Sequence, residues 1–156
     1  MQYADVIVRD ANTNDVPIIA RYNIDMALET ENRHLDRSVV LNGVQAVVTS
    51  PELGRYFLAV SGEEVIGQAM ITYEWSDWRS GMFWWLQSVY VRPDARRRGA
   101  FTAIFQHIRE QARNTPGVIG LRLYVEKNNT TAQATYTRLG LHDSNYIIFE
   151  QDWSMN

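Results

Sequence analysis

The chain has 156 residues, 46% hydrophobic and 21% charged, enough for one globular domain and too few for two. It contains no cysteine, which excludes a disulfide scaffold, a thiolate zinc site and a cysteine nucleophile. The net charge of −3 divides into −6 over residues 1–75 and +3 over residues 76–156, a split that fits either two halves meeting different partners or uneven surface charge on one domain.

Tyr3 to Arg9 reads as a strand, with Ala4, Val6 and Val8 alternating with Asp5 and Arg9. Asn12-Thr13-Asn14-Asp15 is a cluster of capping residues. It predicts a helix from about Asp15 to Thr30, with an apolar stripe of Val16, Ile19, Tyr22, Met26 and Leu28. Asp36 caps a second helix, which carries Val39, Val40 and Val44 and ends at Ser50-Pro51. Strands at Tyr56–Val60, Val65–Trp75 and Met82–Val91 follow as an antiparallel meander with short turns, and Pro93 stops the last of them. Phe101, Ile104, Phe105, Ile108 and Ala112 then form one face of a helix. Val118–Glu126 is a strand, Asn128–Arg138 a helix ended at Gly140, and Tyr146–Trp153 a final strand. The expectation is a single α+β domain over residues 1–156 in the order β-α-α-β-β-β-α-β-α-β. No apolar run approaches the roughly 20 residues that span a bilayer, and Met1–Asp5 has neither the basic nor the apolar region of a leader. A cytoplasmic location and no membrane partner are therefore expected.

The segment Val89-Tyr90-Val91-Arg92-Pro93-Asp94-Ala95-Arg96-Arg97-Arg98-Gly99-Ala100-Phe101 is a strand end, a basic loop and a helix start. Unpaired N–H groups and the helix dipole make such a junction an anion site, a glycine lets backbone approach the anion, and three arginines add full charge. Together they favour adjacent phosphates. A Walker loop and the Gly-x-Gly-x-x-Gly fingerprint are both missing. What stands there, Val-x-Pro-x-x-Arg-x-x-Gly, resembles the acetyl-CoA pyrophosphate loop of the GNAT N-acetyltransferases, through Arg96 and Gly99. Phe101 departs from the Gly or Ala usual in the family. A second stretch, Val125 to Leu141, is similar to the family's later motif through Asn129, Ala132, Tyr136, Leu139 and Gly140.

This resemblance implies the GNAT acyltransferase fold, a three-layer α/β arrangement. Its mixed, mostly antiparallel sheet has two splayed central strands and about four helices. It also implies acetyl-CoA as cosubstrate and an N-acetyltransferase activity. By resemblance, Val89, Tyr90 and Val91 lie along the pantetheine arm, with backbone groups of Val89 and Val91 pairing with its amides. Backbone N–H groups of Arg97, Arg98, Gly99, Ala100, Phe101 and Thr102 hold the pyrophosphate beside Arg96, and Asn129 contacts the cofactor or caps its helix. Tyr136 stands where the family often has a general acid, and it also fits core packing. Glu74, or a water relayed to it, is the candidate base, and it also fits a solvated strand-end acid. The acceptor pocket is expected between the first two helices and the middle strands. Tyr22, Glu29, Glu31 and Trp75 are its candidate substrate-binding residues, because acids and aromatics suit a cationic amine.

His34, His107 and His142 have no metal-ligand spacing, so no metal is expected, and His107 is expected at the surface. With no cysteine, direct transfer to a primary amine of a small molecule in a ternary complex is the leading reading. A non-catalytic acyl-CoA-binding module and acetylation of a peptide or protein amine are the alternatives. Overall acidity argues against a nucleic-acid partner, and the cluster Phe83-Trp84-Trp85 leaves a homodimer open.

Overall fold

In a computed structural model, residues 5–154 are described, so Tyr3 and Ala4 of the expected first strand lie outside the described residues. The chain divides into two units, Met1–Leu123 and Tyr124–Asn156.

The first unit opens with strand β1 (Val6–Asp10), helix α1 (Val16–Glu31) and helix α2 (Arg37–Thr49). Strands β2 (Arg55–Ser61), β3 (Glu64–Ser76) and β4 (Gly81–Val91) follow, then helix α3 (Ala100–Arg113) and strand β5 (Val118–Arg122). The strands form one sheet in the order β1-β2-β3-β4-β5. The first three pairings are antiparallel and β4–β5 is parallel. Successive side chains of a strand point to opposite faces, and β2 shows the division. Tyr56 and Leu58 pack with Val16, Ile19, Ala20 and Val44 of α1 and α2. Phe57, between them, meets His107 of α3 edge to face, with ring centroids 5.5 Å apart. His107 is therefore half-buried rather than at the surface, because the ring of Phe57 offers it an apolar seat. The predicted α3 stripe holds, with Ile104, Phe105, Ile108 and Ala112 all buried. Leu28 falls off the buried face of α1 and is exposed.

The capping clusters act as their residue types require. The Asp36 carboxylate accepts from the backbone N–H groups of Ser38 and Val39 at 2.9 and 3.2 Å. Ahead of α1, Asn12 and Asp15 form a reciprocal capping box around a single 3-10 turn. The Arg9 guanidinium forks onto both Asp15 oxygens at 2.8 and 3.0 Å. Those hydrogen bonds from Arg9 hold the Asp15 carboxyl below the usual carboxylate range, against the opposing effect of burial and with help from the Asn12 N–H. Asp15→Ala is expected to cost about 1–3 kcal/mol, since it strips a buried, bidentate partner from a charge. A lowered folded pKa means that this contribution is complete above the unfolded value of about 3.9 and is lost as pH falls through the folded value. Urea titrations of parent and variant should differ at pH 7 and converge in acid.

In the second unit, helix α4 (Thr130–Arg138) is capped by Asn129, whose Oδ1 accepts from the Ala132 N–H at 3.1 Å. The helix closes on Gly140 at φ +98°, with the Leu141 N–H on the Tyr136 carbonyl at 3.0 Å. Two expected strands differ from the observed structure. β5 ends at Arg122 rather than Glu126. The carbonyl and carboxylate of Glu126 are instead taken by the N–H groups of Asn129 and Asn128, which fold the chain into the α4 cap. Residues 146–153 carry no strand, and Tyr146 to Phe149 are exposed. Strand propensity is a preference for a paired, half-buried surface, and it is not realised without a ladder.

Candidate active site

The centre of β4 is irregular. Gln68 pairs with Tyr90 and Met70 with Gln87, so Ser88 and Val89 together oppose Ala69 in a β-bulge. Ser88 is left-handed there at φ +50°. On its other side, β4 pairs with β5 only from Met82 to Trp85. The backbone from Leu86 to Val91 thus has an edge with no ladder among the described residues, open to an extended ligand that pairs as a strand would.

Beyond β4, Pro93–Ala95 makes a 3-10 turn, and Arg97 and Gly99 are left-handed at φ +62° and +85°. Among the described residues no side chain caps α3. Its first N–H groups therefore carry the positive end of the helix dipole outward, an arrangement made for an anion. A Cβ built on Gly99 would meet nothing within 4 Å, so the glycine answers to its dihedral angle and the space above it is open. An anionic head on this loop and an extended arm along β4 are what the two features fit together.

The arginines are not all aimed at that head. Arg97 and Arg98 are exposed. Arg92 is held by Asp94 at 2.6 Å and by Glu64 at 2.8 Å. Arg96 grips Glu29 with both guanidinium nitrogens at 2.5 and 2.9 Å, donates Nε to the Val91 carbonyl at 2.8 Å and lies over the Tyr90 ring. Its hydrogen bonds hold the Glu29 carboxyl below the usual range.

Next to this pair, α1 and the ends of β3 and β4 border an open cavity of about 830 Å³, lined by Tyr22, Asp25, Glu29, Glu63, Glu64 and Tyr90 together with Arg21 and Arg92. The rings of Tyr22 and Tyr90 lie 5.1 Å apart, and the Tyr22 hydroxyl donates to the Val65 carbonyl. Burial pushes both phenols up. Of the four candidate substrate residues, Tyr22 and Glu29 line this cavity. Glu31, exposed at the last turn of α1, and Trp75, exposed near the end of β3, do not. Tyr90, expected along the cofactor arm, turns its side chain to α1 because the bulge shifts its facing.

Glu74 lies elsewhere on the sheet, with Trp85 and Arg122. Its Oε1 accepts from Arg122 Nη1 at 2.6 Å and from Trp85 Nε1 at 3.3 Å. The Arg122 guanidinium rests on the Phe83 ring at 3.8 Å. A Cβ at Gly120 would come within 2.7 Å of that ring. Arg122 was not among the sequence candidates. The available signal was a lone charge in the strand Val118–Arg122, but its partner is 48 residues away. In the second unit Tyr136 is half-buried on α4, and burial raises its phenol. Asn129 serves as the helix cap. Among the described residues no group of His, Asp and Glu is placed to hold a metal, and no helix is long and apolar enough to cross a membrane.

The model of the acetyltransferase (GNAT) family matches residues 20–141. A Clostridium difficile 630 protein known as a possible acetyltransferase is 39% identical, with 94% of this chain and 97% of that one covered and a TM-score of 0.88. Thialysine N-epsilon-acetyltransferase of Caenorhabditis elegans is 32% identical over 80 residues, 51% of this chain and 49% of that protein. The match thus spans about half the length of that curated relative. A predicted acetyltransferase from Clostridium acetobutylicum, solved with acetyl-CoA, is 14% identical and shares the fold at a TM-score of 0.75, with 94% of this chain and 96% of that one covered. The uncapped helix start, the half-free β4 and these matches lead to one conclusion: the chain belongs to the GNAT acetyltransferase family.

Proposed function

We propose that the chain moves the acetyl group of acetyl-CoA directly onto the primary amine of a small cationic molecule, with residues 1–156 acting as one catalytic domain. The cavity beside the β4 end carries the acceptor reading: its four carboxylates exceed by one the arginines that oppose them, Arg21, Arg92 and the Arg96 that grips Glu29, and its two tyrosines suit a cation. The thialysine relative, named for a small amine, supports the same class. The family match runs through both units, which supports a single domain.

Acetyl-CoA supplies an activated acyl group and a thiol leaving group. The open edge at Val89 and Val91, where Arg96 already donates to the Val91 carbonyl, would hold the pantetheine amides, and the N–H groups from Arg97 to Thr102 the pyrophosphate. An alkylamine of pKa near 10.4 is neutral in only about one molecule in a few thousand at pH 7. Glu74 stands on β3 away from the acceptor cavity and is held by Arg122, so it is proposed to take the amine's proton through water rather than directly. Glu74→Gln should lower kcat/KM while leaving the acetyl-CoA Kd unchanged, and a kcat/KM equal to the parent's excludes the role. Tyr136 is the proposed donor of a proton to the departing sulfur.

Thiol release from acetyl-CoA in the presence of polyamines, amino acids, amino sugars and peptides tests the reading. Small cationic amines should be turned over. Bound acetyl-CoA with no release for any amine overturns it. Glu29 occupies Arg96 and also charges the cavity, so Glu29→Gln should act in opposite directions on the two substrates. Acetyl-CoA Kd should fall and acceptor KM rise, each by about two- to fivefold, the scale of a half-exposed ion pair. Calorimetry with acetyl-CoA and steady-state kinetics with the acceptor measure the two.

A further inference from the structure

Gln68 is a fully buried polar residue in the middle of β3, with 0% of its surface exposed. Its Nε2 donates to Asn23 Oδ1 of α1 at 2.8 Å and to the Ser88 carbonyl of β4 at 3.2 Å. Asn23 in turn donates from Nδ2 to the buried Tyr56 hydroxyl of β2 at 3.2 Å. One chain of hydrogen bonds therefore links three strands and a helix beneath the bulge. The Gln68 Oε1 is buried with no hydrogen-bond partner among the described residues. An amide oxygen left this way carries a destabilising penalty. A leucine of similar volume would not incur it, so the contribution of the amide lies in its two Nε2 bonds.

One of those bonds ends on the residue whose backbone is strained. Ser88 is a non-glycine residue at φ +50°, a left-handed conformation that L side chains adopt at a cost. Neither Ser88 nor Val89 has a ladder partner on β3 or β5. Something other than the sheet must hold them. We propose that Gln68, backed by Asn23 and Tyr56, is a positioning residue for the donor substrate: it pins the Ser88 carbonyl, keeps the bulge, and so aims the Val89 backbone at the open edge of β4.

The test needs no acceptor amine, so its failure is separate from failure of the amine reading. Calorimetry with acetyl-CoA should give a Kd about tenfold higher for Gln68→Leu, the scale of one or two backbone hydrogen bonds. Adenosine 3′,5′-bisphosphate, which lacks the pantetheine arm, should bind both proteins alike. Glycine adopts positive φ freely. Ser88→Gly in the Gln68→Leu background should therefore return the acetyl-CoA Kd to within about threefold of the parent. Asn23→Ala should give the same pattern at about threefold, and it carries the test if Gln68→Leu does not fold. An unchanged acetyl-CoA Kd, equal loss of both ligands, or loss that glycine at 88 does not restore overturns the proposal.

Discussion

Tyr136→Phe is expected to lower kcat about 100-fold and to leave the acetyl-CoA Kd within about twofold. The substitution removes one oxygen and keeps the ring, so packing on α4 is preserved while the hydroxyl's proton is lost. General acid catalysis is worth roughly 10²–10⁴-fold, and the lower end suits this transfer. A free phenol near pKa 10 is a weaker acid than a thiol near 8.5, so moving its proton to sulfur is uphill by about 2 kcal/mol. Burial raises the Tyr136 phenol further. The hydroxyl is therefore protonated throughout the neutral range, and its value as a donor depends on where it is held. Single-turnover thiol release, set beside acetyl-CoA calorimetry, separates the two parameters. An unchanged kcat removes the role.

Phe105→Ala has the largest effect expected on stability, about 3–5 kcal/mol. Phe105 is 1% exposed and lies in the middle of the buried stripe of α3. Its ring meets Phe101 at 6.1 Å between centroids and carries the Arg109 guanidinium at 5.1 Å. Both neighbours are on α3, so neither can close the hole left between helix and sheet. For a chain of this length 1 kcal/mol shifts the melting temperature by about 2–4 °C. A fall of roughly 6–20 °C should appear in a thermal melt, whereas Trp78→Ala, at an 85% exposed position, should barely move it.

What was readable in the sequence is mostly what is local. Gly99, the uncapped start of α3 and the Asp36 cap depend on residues within a few positions of one another, so residue type and spacing were enough. The stripe of α3 was equally plain, because a helix repeats its own neighbours. The bulge was not legible: it exists only because β3 pairs with β4 on either side of Ala69, and no residue at 88 or 89 announces it. The capture of Arg96 by Glu29 spans 67 residues and that of Arg122 by Glu74 spans 48. Such pairs follow from topology, and a motif that names Arg96 does not tell which way its guanidinium turns. The last strand fails for a related reason. Tyr146 to Phe149 have the side chains of a strand, but a strand is a relation between two segments.

Gly120 shows how far a missing atom reaches. The ring of Phe83 occupies the volume that any side chain at 120 would fill. That ring is the shelf on which Arg122 lies, and Arg122 is what neutralises Glu74. The seat of the cation beside the proposed base therefore rests on the absence of a methyl group on the neighbouring strand. A vacancy, passed through an aromatic plane to a guanidinium, acts here as an electrostatic component, and it could be adjusted without altering any charged residue.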